Sequence, residues 1–237
     1  MVELLAVLAI ILTLSALSIT AIQSTFQASR FDQNLSEIVE TLGRARSYAI
    51  AENTYVWVAF YPVDPSQLSG GAQEMSGNQV LIATFASSAG TNPFTWGDTT
   101  AYTVPYTDAT TGTSVYQLTK IQTFKQLQLW PEGGQGAGHF YNIYVPGASA
   151  PSQVATTPIL SITSPHVGAL PQTGSNTQST TAVVVFSPRG SALDGPALST
   201  SLALDFQPTR SASVSDSANT ATIRIDGLTG LAAVYRQ

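Results

Sequence analysis

Few side chains in this 237-residue sequence stand where they could do chemistry. Its two histidines are His139, at the border of a glycine-rich run, and His166, directly after Pro165, and both read as surface or loop residues rather than as bases. Gly147-Ala148-Ser149-Ala150-Pro151 sets a serine among small residues but lacks the final glycine of a nucleophile elbow and the strand and helix that flank one. The acids of the C-terminal part are scattered singly, without the D-x-D-x-D-G spacing of a calcium loop, and no phosphate-binding glycine loop follows a strand. With no cysteine there is no thiolate nucleophile, no thiolate metal ligand and no disulfide. These residues argue against an enzyme: no catalytic, cofactor-binding or metal-binding residue is assigned, and no cofactor is expected. Trp57, Trp96 and Trp130, with nine tyrosines, would suit stacking on a carbohydrate. The plainer reading is that aromatic residues fill and edge a β core.

Glu3 is the acid whose position carries information. After it no charged side chain occurs until Arg30, an uncharged stretch of about 39 Å at the helical rise, long enough to cross a bilayer. Leucine, isoleucine, alanine and valine dominate its first half, and Thr13, Ser15, Ser18 and Thr20 can return their hydroxyl bonds to the helix backbone. A carboxylate deep in such a segment costs on the order of 3 kcal/mol. Two arrangements would compensate it: a place at headgroup level, favoured by the positive end of the helix dipole, or an ion pair made when the helix packs beside a copy of itself.

The element that must position Glu3 is one long helix. From 24 to 52 the pattern turns amphipathic, with Phe31, Leu35, Ile38, Val39, Leu42, Ala45, Ala49 and Ile50 at three- and four-residue spacings and Asp32, Glu37, Glu40, Arg44 and Arg46 opposite. Glu40 stands four residues before Arg44, the orientation that supports an exposed helix. No proline interrupts 1–52, and its one glycine, Gly43, is expected to let the rest of the chain approach closely. After Asn53 short runs of aromatic and β-branched residues predict strands at 55–61, 79–86, 120–130, 139–145, 181–186, 201–206 and 220–226, separated by turn-forming clusters. Asp226-Gly227 between two apolar runs predicts a hairpin pairing 222–225 with 231–235.

Two stretches carry a resemblance. The string Val2-Glu3-Leu4-Leu5-Ala6-Val7-Leu8-Ala9-Ile10-Ile11 resembles the N-terminal signature of type IV pilins and of the pseudopilins of type II secretion. The resemblance implies a basic leader removed by a prepilin peptidase, and it makes Glu3 the carboxylate that neutralises the terminal amine of a neighbouring subunit. Leu4, Leu5, Val7, Leu8, Ile10, Ile11, Leu14 and Leu17 would supply the helix packing. The family has a glycine, a cleavage point and usually a phenylalanine upstream; Met1 stands inside the motif, so the leader and about two mature residues are expected to precede it. Further on, Leu42, Ala45, Arg46, Ala49, Ile50, Asn53 and Val56 match the L-x-x-A-R-x-x-A-I-x-x-N-x-x-V pattern of H-type pseudopilins and FimT-like minor pilins. Val184-Val185-Phe186-Ser187-Pro188-Arg189-Gly190, then Thr222-Ile223-Arg224-Ile225 and Thr229-Gly230, resemble the last strands of that subgroup's head. Nothing from 62 to 180 matches. Some major pseudopilins hold calcium, but no ligands for it can be placed here.

Removing the first 52 residues leaves about 185, enough for one sizeable core. Charged residues make up 10%, the formal charge is -5 and 43% of residues are apolar, which describes a weakly acidic, hydroxyl-rich surface rather than a disordered polyanion. Some FimT-like proteins bind DNA through C-terminal basic residues. Here Arg189, Arg210, Arg224 and Arg236 are balanced by Asp194, Asp205, Asp216 and Asp226, which counts against nucleic acid unless folding gathers the arginines on one face. The expected architecture is α+β: an N-terminal transmembrane and assembly helix (1–52) whose first half spans the membrane, packed on a β-sandwich-like head (53–237). The expected function is that of a minor pilin or pseudopilin subunit, made as a single-pass inner-membrane protein with a periplasmic head and then assembled with other subunits into a type II secretion pseudopilus or a type IV pilus. A fibre-borne adhesin or DNA-uptake subunit is the alternative from another class, and a membrane-anchored sandwich that never polymerises is a third.

Overall fold

The unbroken helical pattern becomes one helix, α1 (Val2–Ala51), of 50 residues. A computed structural model describes residues 2–63, 79–94, 101–129, 152–153, 159–164, 176–179, 182–193, 201–210, 213–214 and 219–236. Within 2–26 it describes the helical backbone but, of the side chains, only Val7 and Ile11. The strands are β1 (Val56–Val63), β2 (Gln79–Ser87), β3 (Ala101–Thr103), β4 (Tyr106–Thr107), β5 (Ser114–Gln117), β6 (Gln122–Lys125), β7 (Leu127–Leu129) and β8 (Ser152–Gln153). They continue as β9 (Ile159–Ser164), β10 (Asn176–Ser179), β11 (Ala182–Phe186), β12 (Ala192–Leu193), β13 (Ser201–Arg210), β14 (Ser213–Val214), β15 (Ala221–Asp226) and β16 (Ala232–Arg236).

These strands form two larger sheets and a small one. The first runs β12-β11-β1-β2-β5-β4 with β6 also on β2; the second runs β14-β13-β15-β16 with β7 and β8 also on β13; the third is β10-β9-β3. All described pairings are antiparallel except β3 with β9 and β8 with β13. One stripe of α1 (Phe31, Leu35, Ile38, Leu42, Ala45, Ala49) lies in a single core with Val56, Val58 and Phe60 of the first sheet and Leu204, Phe206, Ile223 and Ile225 of the second. The other face of β1, with Trp57, Ala59 and Tyr61, enters a second core with Phe85, Phe94, Val115 and Val185. Strand β1 is therefore buried on both faces, which is why it reads as a continuous apolar run rather than an alternation. In the second core Phe94 meets Trp57 edge-on at 5.3 Å and packs on Tyr102 and Tyr106 at 4.8 and 5.6 Å, geometries that aromatic quadrupoles favour. Trp57 is thus a core residue; Trp96 and Trp130 lie outside the described residues.

Three sequence expectations change in detail. The strand expected over 120–130 is two strands, because Gln126 adopts φ 59 between β6 on the first sheet and β7 on the second. The chain crosses from one sheet to the other at that residue. Ile50, expected on the buried stripe, is 44% exposed. Among the described residues nothing approaches Gly43 closely: a Cβ built on it would meet no atom within 4 Å. The strand expected at 139–145 lies outside the described residues, as do His139, His166 and Ser149.

Candidate functional site

The described structure brings the separated motifs together where α1 meets the head. The helix ends in a Schellman turn: Thr54 N–H donates to the Ala49 carbonyl at 3.0 Å and Asn53 N–H to that of Ile50 at 3.4 Å, while Asn53 takes φ 50. Asparagine tolerates this left-handed position better than most residues, which is the physical content of the A-I-x-x-N spacing. Three residues inside that turn, Ile50 packs on Gly190, and Arg46 Nε donates to the Thr229 carbonyl at 2.6 Å. Gly190 and Gly230 both have positive φ, +80 and +68, and a Cβ on Gly230 would fall far inside contact distance of the Gly190 carbonyl oxygen. Only glycine lets the two turns touch under Arg46.

The turn that presents Thr229 is built by Asp226. Its carboxylate accepts from the Thr229 backbone N–H at 2.7 Å and from the Thr229 hydroxyl at 2.8 Å. These bonds, the backbone one first, hold the Asp226 carboxyl below the usual range. The predicted hairpin forms in the expected register, with Thr222 opposite Tyr235 and Ile225 opposite Ala232. Its turn differs from a two-residue Asp-Gly turn: Asp226 N–H donates to the Leu231 carbonyl, and the left-handed residue is Gly230 rather than Gly227.

From that turn β16 runs back along the helix. Arg236 at its far end pairs with Asp32 and lays its guanidinium over the Phe31 ring, 5.5 Å from the centroid. Asp32 to Arg46 spans about 21 Å of helix and Thr229 to Arg236 about 23 Å of strand, so the two fastenings are in step. Arg44 pairs with Glu40 at 3.4 Å on the exposed face, as the spacing predicts. The Tyr48 hydroxyl lies 3.1 Å from that of Tyr116 in β5. That hydrogen bond, with a smaller effect of burial, pushes Tyr48 up to about 12. Between α1 and the terminal hairpin an open groove of about 710 Å³ is lined by Gly43, Ser47, Ala51, Gly230, Leu231 and other residues of the two elements.

The residues expected to drive assembly stand at the other end of α1. Val7 and Ile11, one turn apart, are 56% and 52% exposed. The side chains of Glu3, Leu4, Leu5, Leu8, Ile10, Leu14 and Leu17 lie outside the described ones, on a backbone that is helical throughout. Among the described residues no helix is long and apolar enough to cross a membrane, so the fold does not establish the expected span of the first half. The same residues include no group of three or more metal-ligating side chains. The C-terminal arginines are not gathered on one face. Arg224 stands opposite Ala233 and Arg236 opposite Ala221, register positions of opposite parity and hence opposite faces, and Asp32 engages Arg236. Arg189 is exposed at the turn before Gly190, and the Arg210 side chain lies outside the described ones. No protein-family model, no curated protein and no solved structure matches this chain.

Sequence reasoning did not foresee the Arg46 contact with Thr229, the contact of Gly190 with Gly230, or the pairing of Arg236 with Asp32. The first two fall inside the motifs quoted above, where a glycine after a turn-forming Ser-Pro-Arg and another after Thr229 were the available signals. The third joins residues 204 positions apart, and nothing local marks either one.

Proposed function

We propose that this chain is a filament subunit of the pilin and pseudopilin kind, held first in a bacterial inner membrane by the front of α1 and then incorporated into a fibre through the same segment. The observation that carries this is an uninterrupted 50-residue helix of which, among the described residues, the rear half is packed into the head core. The front half presents exposed apolar side chains at Val7 and Ile11, within a stretch uncharged from Leu4 to Ser29. An apolar stretch of that length is unfavourable in water unless lipid or other helices surround it. Arg46 and Arg236 fasten the rear half at two points, so the head would ride on the helix as one body. Glu3 would select the alignment: a buried carboxylate adds little net stability, but a misplaced neighbour leaves it unpaired. The head then supplies the fibre's surface.

The test is Glu3→Ala expressed beside the other subunits of its fibre. Unchanged membrane recovery with loss from sheared fibres is the expected result. Normal incorporation of the variant would overturn the pairing role, and loss of membrane recovery would overturn the order of events proposed.

A further inference from the structure

We infer that Arg30, Lys125, Arg210 and Arg236 form a basic collar at the end of the head from which the front of α1 projects, and that this collar rests on the anionic headgroups of the bilayer holding that front. The inference rests on the membrane anchoring proposed above and names the surface that meets the lipid. Four elements bring these residues to the neighbourhood of Phe31. Arg30 precedes it on α1, and Arg236 of β16 lays its guanidinium over its ring, 5.5 Å from the centroid. Lys125 of β6 is held one turn further along the helix, where the Asn34 side-chain amide donates to its carbonyl oxygen at 3.1 Å. Thr209 N–H donates to the Gln126 carbonyl at 3.1 Å, which fixes the adjacent Arg210, the last residue of β13, at the same end. Four of the nine lysines and arginines of a chain with formal charge -5 thus gather at one end of the head.

The collar is short of counter-charge. Among the described residues the acid beside it is Asp32, which pairs with Arg236, and neither Arg30 nor Lys125 has an ion pair. Both are exposed, and both line one small cleft with Gln27, Phe31, Asn34 and Thr209. Cations that share a cleft repel each other and focus a positive potential there, so the place favours an anion. Position selects a lipid phosphate as that anion. The stretch from Leu4 to Ser29 has no charge and measures about 39 Å at the helical rise, against roughly 30 Å of hydrocarbon and 40–45 Å with headgroups. When that stretch spans the hydrocarbon, Arg30 stands at headgroup level. The other three cations come from three different strands beside the helix, so the charge is spread across the end of the head that meets the bilayer.

The chain has two lysines, Lys120 and Lys125, and they make the test direct. Lys120 is exposed like Lys125 but lies beyond Gln122, whose side chain meets Thr41 of α1, seven residues and about 10 Å along the helix from Asn34. That separation exceeds the Debye length of about 8 Å at physiological salt, so Lys120 is an internal control. The full-length chain is reconstituted in vesicles of phosphatidylcholine alone or with phosphatidylglycerol, treated with an amine-acylating ester, and read at both lysines by mass spectrometry. Phosphatidylglycerol should slow acylation of Lys125 about fivefold, the worth of one cation at an anionic surface, and leave Lys120 unchanged. The protection should vanish at about 1 M salt, weaken in Arg30→Gln and persist in Arg30→Lys. Equal acylation of Lys125 in the two lipids, with the chain resisting alkaline extraction from both, overturns the collar and leaves the anchor standing. A chain that alkali extracts overturns the anchor, and the collar with it. Protection of Lys125 in detergent by millimolar inorganic phosphate, equal to that by lipid, assigns the cleft to free anions and overturns the docking on lipid.

Discussion

Gly230→Ala should damage the junction far more than its single methyl group suggests, and Gly43→Ala should have the opposite sign. At Gly230 the backbone has φ +68, where a residue with a Cβ costs about 1–2 kcal/mol. The added carbon would also press on the Gly190 carbonyl oxygen, a backbone atom held by its own turn, and would lie 3.1 Å from Arg46 Cδ. Overpacking of this sort adds about 1–3 kcal/mol, for a total of roughly 2–5 kcal/mol. For a chain of this size that corresponds to a fall in Tm of about 5–15 °C. Gly43 sits inside α1 with no described atom within 4 Å of a Cβ, so alanine there gains about 0.5–1 kcal/mol from helix propensity alone. Thermal unfolding of the detergent-solubilised chain, followed by circular dichroism, reads both variants. Equal melting of Gly230→Ala and the parent, or a loss for Gly43→Ala as large as that for Gly230→Ala, would refute the reasoning.

Asp205 is buried in β13, where burial pushes its carboxyl up against the opposing pull of the Thr222 hydroxyl donating at 2.5 Å. A raised folded-state value means that this residue favours folding most below the unfolded carboxyl value of about 4 and loses that contribution as pH rises through the folded value. Asp205→Asn should therefore be more stable than the parent at pH 7 and equal to it near pH 3 in denaturant titrations, and a gap independent of pH would count against the assignment. Among the described residues the buried Tyr61 hydroxyl has no hydrogen-bond partner, and burial raises its pKa strongly. Tyr61→Phe should raise stability by roughly 1 kcal/mol in urea unfolding, whereas a loss would mean that the hydroxyl has a partner. Arg236→Ala removes both the Asp32 pair and the stacking on Phe31, and should cost about 1 kcal/mol with the greatest loss of amide protection in the 30–36 turn of α1, a pattern measurable by hydrogen exchange.

Much of this fold is legible because it is written in long, one-signed patterns. The helix needs only the absence of proline and a sustained apolar stripe, and six of the seven stripe positions expected from Phe31 to Ala49 are buried, Val39 being only partly covered. Strands β1, β2, β11, β13 and β15 are runs of β-branched and aromatic residues flanked by turn formers, and the terminal hairpin follows from its two apolar arms. Legibility fails where a tertiary partner decides. Ser114–Gln117 is a strand because β2 offers Ser87 to Phe85 as its ladder, not because its own residues demand one. Gln126 breaks its strand by passing between two sheets, and nothing in Gln122–Leu129 marks the crossing. Ile50 belongs to the helical stripe by spacing, yet beside the helix end it falls outside the core that still covers Ala49 and lies on the Gly190 turn instead. At the candidate site the residue types were quoted from the sequence, but their meeting depends on two turns 40 residues apart, Gly190 and Gly230, arriving under one arginine.

The central claim is that α1 serves as both anchor and fibre core while the head rides outside. Its most direct test is to shear cells that express the chain with its neighbouring fibre components and to examine the released material by immunoelectron microscopy, using an antibody to the head. Label on released fibres, together with a membrane pool that decreases as fibres lengthen, is the predicted outcome. Label confined to membranes under conditions where the other components form fibres would contradict it.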